Sequence, residues 1–122
     1  MKRILIIDDE ENFCYFVKKN LEATGNFEVS VCNDSREAIK VVREMLPDLI
    51  LLDILMPRKD GTTIAVELKE SEDTKDIPVV FLTALVSEQE TKKHENIIGE
   101  TCFVSKPVKT EELISIINKL TK

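Results

Sequence analysis

The chain reads as an α/β protein, with five strands and five helices in strict alternation that form a parallel sheet covered on both faces. Three observations predict this. Strand-like apolar runs and stretches of helical period take turns along all 122 residues. One run, "LILLD" (Leu49–Asp53), is apolar until its last residue, as a strand covered on both faces must be. No internal repeat or low-complexity linker breaks the pattern, so residues 1–122 are expected to form one domain, long enough for a substantial core.

Each element follows from local pattern. "RILII" (Arg3–Ile7) is an apolar run rich in β-branched residues. Phe13, Phe16, Val17 and Leu21 then recur at helical spacing, and Gly25 supplies a stop. "FEVSVC" (Phe27–Cys32) alternates apolar and polar residues, which predicts a half-exposed edge strand. Asp34, with Glu37 three residues on, marks a helix start; Ala38, Ile39, Val42 and Met45 are its apolar stripe and Pro47 its exit. After Leu49–Asp53, the spacing of Ile64, Ala65 and Leu68 predicts a short helix, and Ser71–Asp76 reads as a polar, solvated loop. Pro78–Ala84 is strand, the mostly polar Val86–Ile98 is read as helix, and Thr101–Ser105 is strand again. The last helix carries Leu113, Ile116, Ile117 and Leu120 on one face, with Thr110 as its cap.

Composition narrows the function classes. The formal net charge of −6 argues against a direct nucleic-acid surface, because phosphate binding requires basic patches. Lys18-Lys19 and Lys92-Lys93 read as solvated helix faces. No apolar run approaches the roughly 20 residues that span a bilayer, so no membrane insertion is expected. The start "MKRILIIDDE" lacks the cleavage pattern of a secretory leader. Cys14, Cys32 and Cys102 have neither zinc-ligand nor paired spacing, which fits a reducing cytoplasm; Cys32 and Cys102 lie in strand-like runs and are expected to be buried thiols. His94 stands alone in a polar segment and reads as a surface residue.

In open parallel sheets, ligands bind beyond the carboxyl ends of the strands. The first strand ends at Asp8-Asp9 with Glu10 beyond, the third at Asp53 and the fourth at Thr83; the fifth is followed by Lys106-Pro107. Carboxylates, a hydroxyl and an amine therefore converge on one rim. Clustered carboxylates invite a hard dication, and Mg²⁺ takes oxygen ligands. A carboxylate can also attack a phosphoryl group and carry it as an acyl phosphate, a transfer that depends on positioning and charge neutralisation. Asp53, an acid driven onto the end of a fully apolar strand, is placed for that role beside Asp8, Asp9 and Lys106.

With "LIIDDE", "LILLDILMPRKDG", "VVFLTA" and "GETCFVSKPV", the chain resembles a response-regulator receiver domain of two-component signalling over essentially its whole length. The resemblance implies a flavodoxin-like, doubly wound sheet of order 2-1-3-4-5, as in chemotaxis regulators. It implies a signalling phosphoacceptor rather than an enzyme: Asp53 takes a phosphoryl group, with Mg²⁺, from a histidine kinase or a histidine phosphotransfer protein. Asp9 would be a direct metal ligand, Asp8 a ligand through water and the Leu55 carbonyl a further one. Thr83 matches the switch hydroxyl and Lys106 the lysine that pairs with the phosphoryl group, with a cis Lys106–Pro107 bond expected. Phe103 stands where the family usually has a rotating aromatic, often Tyr. The kinase would dock near Phe13, Cys14 and Pro107, and the chain would be a monomer or a phosphorylation-dependent dimer.

The output face, formed by the fourth predicted helix, the fifth strand and the last helix, falls partly in a segment between Thr83 and Lys106 that is longer and more polar than usual. Leu55 and Leu85 occupy positions that tune water access to the acyl phosphate, and two leucines there imply slow self-dephosphorylation. Three rival readings fit less well. A flavodoxin-type cofactor module needs a Ser/Thr/Gly-rich phosphate loop where this chain has "DDEEN". An aspartate-based phosphohydrolase would carry DxD after the first strand. A degenerate receiver, acting only as an interaction module, would not be expected to keep Asp8, Asp9, Asp53, Thr83 and Lys106 together.

Overall fold

The period-two apolar residues of β1 (Lys2–Ile7) settle the layering. Ile4 and Ile6 join one core, and Leu5 and Ile7 join another on the opposite face. The computed structural model describes residues 1–84, 97–98 and 101–121. β3 (Leu49–Asp53) divides in the same way, with Leu49 and Leu51 on one side and Ile50 and Leu52 on the other, and every one of its residues is buried. In β4 (Val79–Thr83), Val80 and Leu82 face the first core and Phe81 the second. A strand apolar on both faces is stable only between two layers of helix.

The helices supply those layers. α1 (Glu11–Glu22) and α4 (Thr110–Leu120) cover the first core with Cys14, Val17, Leu21, Leu113, Ile116 and Ile117. α2 (Ala38–Met45) and α3 (Gly61–Lys69) cover the second with Ala38, Val42, Ile64 and Leu68. β2 (Phe27–Cys32), which alternates as an edge strand should, pairs in parallel with β1 from Lys2↔Phe27 to Ile7↔Cys32. β6 (Thr101–Ser105) pairs in parallel with β4, and the two-residue β5 (Ile97–Ile98) adds an antiparallel edge. The sheet order is β2-β1-β3-β4-β6-β5. Its five parallel strands follow the expected 2-1-3-4-5 order, with β6 as the fifth.

Several local expectations change. Phe16 points outward, 54% exposed, because at 100° per residue it lies roughly a third of a turn from the Cys14–Val17–Leu21 stripe. Cys14 takes the inward place and is 1% exposed, which removes it from any docking surface. Asp34 caps a 3₁₀ turn, Ser35–Glu37, and α2 begins only at Ala38. Thr110 is the first helical residue of α4 rather than its cap; Lys109 holds that position with no side-chain capping bond. Thr74, in the loop read as solvated, is buried because its hydroxyl donates to the Leu68 carbonyl at 2.7 Å. Cys32 is buried as expected, whereas Cys102 is half-buried.

Among the described residues there are four α-helices. The remaining predicted helix, Val86–Ile98, falls outside them except for Ile97–Ile98. Those two residues pair as strand against Cys102 and Thr101 and so are not helical. Leu85, His94 and Lys92-Lys93 also lie outside the described residues. No described helix is long and apolar enough to cross a membrane.

α2 ends on Leu46, a non-glycine residue at φ 46°, ψ 66° whose N–H closes on the Val42 carbonyl at 2.7 Å. The left-handed conformation costs an L-residue about 1 kcal/mol, and Leu46 is half-exposed, so little packing would be lost on truncation. We predict that Leu46→Gly raises stability by about 1 kcal/mol in urea unfolding.

Candidate functional site

Because β1, β3, β4 and β6 run parallel, their carboxyl ends share one rim. Asp8 continues β1: its N–H donates to the Cys32 carbonyl at 3.1 Å, and its side chain is fully enclosed. Its Oδ1 accepts from the Glu10 N–H at 2.9 Å, which turns the chain into α1. Asp53 and Thr83 are the last residues of β3 and β4, and both are buried. Lys106 follows β6. Its N–H donates to the Thr83 carbonyl at 2.9 Å, and the bond to Pro107 is cis, as expected.

The Lys106 ammonium sits at the centre of this rim. Nζ lies 2.8 Å from Asp8 Oδ2, 2.8 Å from Glu10 Oε1 and 3.7 Å from Asp53 Oδ1. The Phe13 ring centroid is 4.5 Å away, in cation–π contact. Three carboxylates therefore face one ammonium. Asp8 Oδ2, buried and accepting no well-directed hydrogen bond, has its charge met by this ion pair.

The electrostatics follow from that crowding. Burial, then the Asp8 charge, then that of Asp9 push the Asp53 carboxyl up to about 6; Lys106 and the Leu55 N–H pull the other way. Burial by itself would lower Lys106, but the close Asp8 carboxylate, the hydrogen bond to Glu10 and the charges of Asp8 and Asp53 outweigh it and raise it. Burial, reinforced by Asp8, pushes the Cys14 thiol up to about 12, so it stays a neutral thiol.

Asp8, Glu10 and Asp53 each offer a carboxylate oxygen, and these oxygens lie within 4.8 Å of one another. The set is all oxygen and carries an excess of negative charge, and one of its buried atoms lacks a directed partner. These are properties that suit Mg²⁺ and not a soft metal.

The sequence-derived residues are thus brought together only in part. Asp8, Asp53 and Lys106 are in contact, and Thr83 adjoins them. Asp9 is exposed and stands outside the oxygen cluster, acting on Asp53 through its charge. Leu55 is 59% exposed at the rim. Phe103 packs inward on Phe81, ring centroids 5.6 Å apart. Glu10 and Phe13, both in contact with Lys106, were not assigned to the site from sequence. The "DDE" run was the available signal for Glu10; nothing local signalled Phe13.

Gly61 closes the loop after β3. Its N–H donates to the Ile54 carbonyl at 2.9 Å, and an added Cβ would collide with the Asp53 carbonyl oxygen. Asp60 caps α3 beside it by accepting from the Thr63 N–H at 2.9 Å.

A fold and a rim of this kind define a receiver, and comparison with known proteins agrees. Residues 4–118 match the family model described as the response regulator receiver domain. The regulator RpaA of Synechocystis, described as a DNA-binding dual master transcriptional regulator, is 36% identical over 122 residues, which is all of this chain and 50% of that protein. Response regulator PleD of Caulobacter vibrioides is 35% identical over 98% of this chain and 26% of its own length. The receiver domain of a histidine kinase from Syntrophus aciditrophicus superposes with a TM-score of 0.81 at 30% identity, covering 99% of this chain and 90% of that one. The chemotaxis regulator CheY4 of Vibrio cholerae gives 0.80 at 27%, covering 98% of each chain. The chain belongs to the response regulator receiver domain family of two-component signalling. It spans half or less of the length of these curated relatives.

Two outcomes are expected. Gly61→Ala forces a methyl group against the backbone of Asp53 and Ile54 and should destabilise by about 3 kcal/mol in urea unfolding. Asp53 rises from its ordinary 3.8 to about 6 on folding, so between those values the native state holds more protons than the unfolded one. Stability therefore falls as pH rises through that window, and the ionised side chain destabilises the fold above it. In metal-free buffer, Asp53→Asn should gain about 1–2 kcal/mol at pH 7, after solvent screening, and nothing below about pH 4.

Proposed function

We propose that this chain is a receiver that accepts a phosphoryl group on Asp53 from the phosphohistidine of a histidine kinase or a histidine phosphotransfer protein. The observation that carries the reading is the Lys106 ammonium held among Asp8, Glu10 and Asp53 on the rim that Thr83 shares. An Asp53 oxygen attacks phosphorus, the new P–O bond forms as the P–N bond breaks, and the leaving imidazole nitrogen keeps the electron pair. Lys106, 3.7 Å from Asp53, is within reach of the phosphoryl oxygens that would arrive there.

Asp8, Asp9, Asp53 and the Leu55 carbonyl would hold Mg²⁺, with Glu10 as an added oxygen donor. Bound there, the ion supplies neutralisation between the acids and the incoming phosphoryl group. The Thr83 hydroxyl would donate to a phosphoryl oxygen. Its movement, coupled to Phe103, would shift a two-state equilibrium and remodel the face around β6 and α4. Residues 1–122 would act as one cytoplasmic domain. The kinase would dock beside Phe13 and Pro107, where Tyr15 and Phe16 add exposed aromatic surface.

Intact mass after incubation with Mg²⁺ and acetyl phosphate tests this reading. The expected result is one added phosphoryl group that requires Mg²⁺, is lost in hydroxylamine and is absent from Asp53→Asn. Slow decay would match Leu55 at the rim. No addition from either acetyl phosphate or a phosphorylated histidine phosphotransfer domain would overturn the reading and leave an interaction module.

A further inference from the structure

The turn between β2 and α2 contributes no acid to the rim cluster, yet it touches both loops that do. Asn33 follows the last residue of β2, and its Nδ2 donates to the Asp8 carbonyl at 2.8 Å. The buried Cys14 Sγ donates to the same oxygen at 3.4 Å, and Asn33 Nδ2 lies 3.5 Å from that sulfur. Two residues further on, the buried Ser35 hydroxyl donates to the Pro57 carbonyl at 2.9 Å, in the loop that leads away from Asp53. One short turn thus holds the loop that carries Asp8 and Glu10 and also the loop that follows Asp53.

The turn is ordered by its own bonds. The Cys32 thiol donates to the Asp34 carbonyl at 3.2 Å, Asp34 Oδ1 accepts from the Arg36 N–H at 2.9 Å, and the Glu37 N–H closes on the Asp34 carbonyl at 3.0 Å. A brace that is rigid before it touches the acid loops can fix the distance between them. That distance matters here, because like charges at Asp8, Glu10 and Asp53 push the loops apart.

We infer that Asn33 and Ser35 are positioning residues: they clamp the Asp8 loop and the Asp53 loop at the spacing a divalent cation and an incoming phosphoryl group require. The inference rests on the receiver reading above and adds to it the residues that hold the acids in register. Neither side chain touches a carboxylate, so each acts through the backbone of the loop it holds.

The test compares Asn33→Ala, Ser35→Ala and Ser35→Thr with Thr74→Val. The last removes a buried hydroxyl that donates to the Leu68 carbonyl at 2.7 Å, away from either acid loop. Mn²⁺ affinity is read by electron paramagnetic resonance, the rate and half-saturation of acetyl phosphate labelling by intact mass, and stability by urea unfolding. Asn33→Ala and Ser35→Ala should each weaken Mn²⁺ binding by about tenfold. Ser35→Thr should restore most of it, and Thr74→Val should lower stability with Mn²⁺ affinity unchanged. Labelling at saturating Mn²⁺ should recover its rate. Wild-type binding and labelling that Asn33→Ala and Ser35→Ala match within twofold would overturn this inference alone. Wild-type protein that takes up neither Mn²⁺ nor the phosphoryl group would overturn the receiver reading and this inference with it.

Discussion

Among the described residues, the rim depends on a single cation. Lys106 meets a fully enclosed Asp8, an exposed Glu10 and the buried Asp53, and it lies over the Phe13 ring. Without it, three carboxylates would crowd a space in which their oxygens lie within 4.8 Å, a repulsion that no described hydrogen bond offsets at Asp8 Oδ2. Its position is set from the backbone, through the bond from its N–H to the Thr83 carbonyl that continues the β4–β6 ladder. The same ladder that builds the sheet therefore aims the ammonium at the acids.

The excess of negative charge that remains is the chemically useful part. A site neutralised completely would have no affinity for a dication, and a site with no lysine would have little tolerance for its own acids. The raised carboxyl of Asp53 records this compromise: burial and the neighbouring acids raise it more than Lys106 lowers it. Stability is given up locally at the one residue whose charge the chemistry would use, while the two apolar layers on either side of the sheet hold the fold.

Much of this was legible in the sequence. Apolar runs alternating with helical spacing located all five parallel strands and the four described helices, and the strand ends named Asp8, Asp53, Thr83 and Lys106. The failures have a common cause. Phe16 and Phe13 look alike in a periodic pattern, yet one is 54% exposed and the other packs against the lysine; only the direction of the helix over the sheet separates them. Local propensity makes Thr110 a cap and Thr74 a solvated residue, yet α4 already begins at Thr110, and the nearby Leu68 carbonyl takes the Thr74 hydroxyl inside. Ile97–Ile98 sit at the end of a polar run of helical composition, but pairing with β6 overrides it.

By itself the sequence determined the α/β class, the two-sided burial of the sheet and the acids, hydroxyl and amine at the strand ends. Those follow from periodicities and end positions that are local along the chain. Only the tertiary structure decided which oxygens share the ammonium, that Glu10 joins them while Asp9 stands in solvent, and that a turn giving no acid to the rim reaches both acid loops. Such contacts join residues far apart in the chain, and their distances are set by how the strands stack and how the loops turn at the rim.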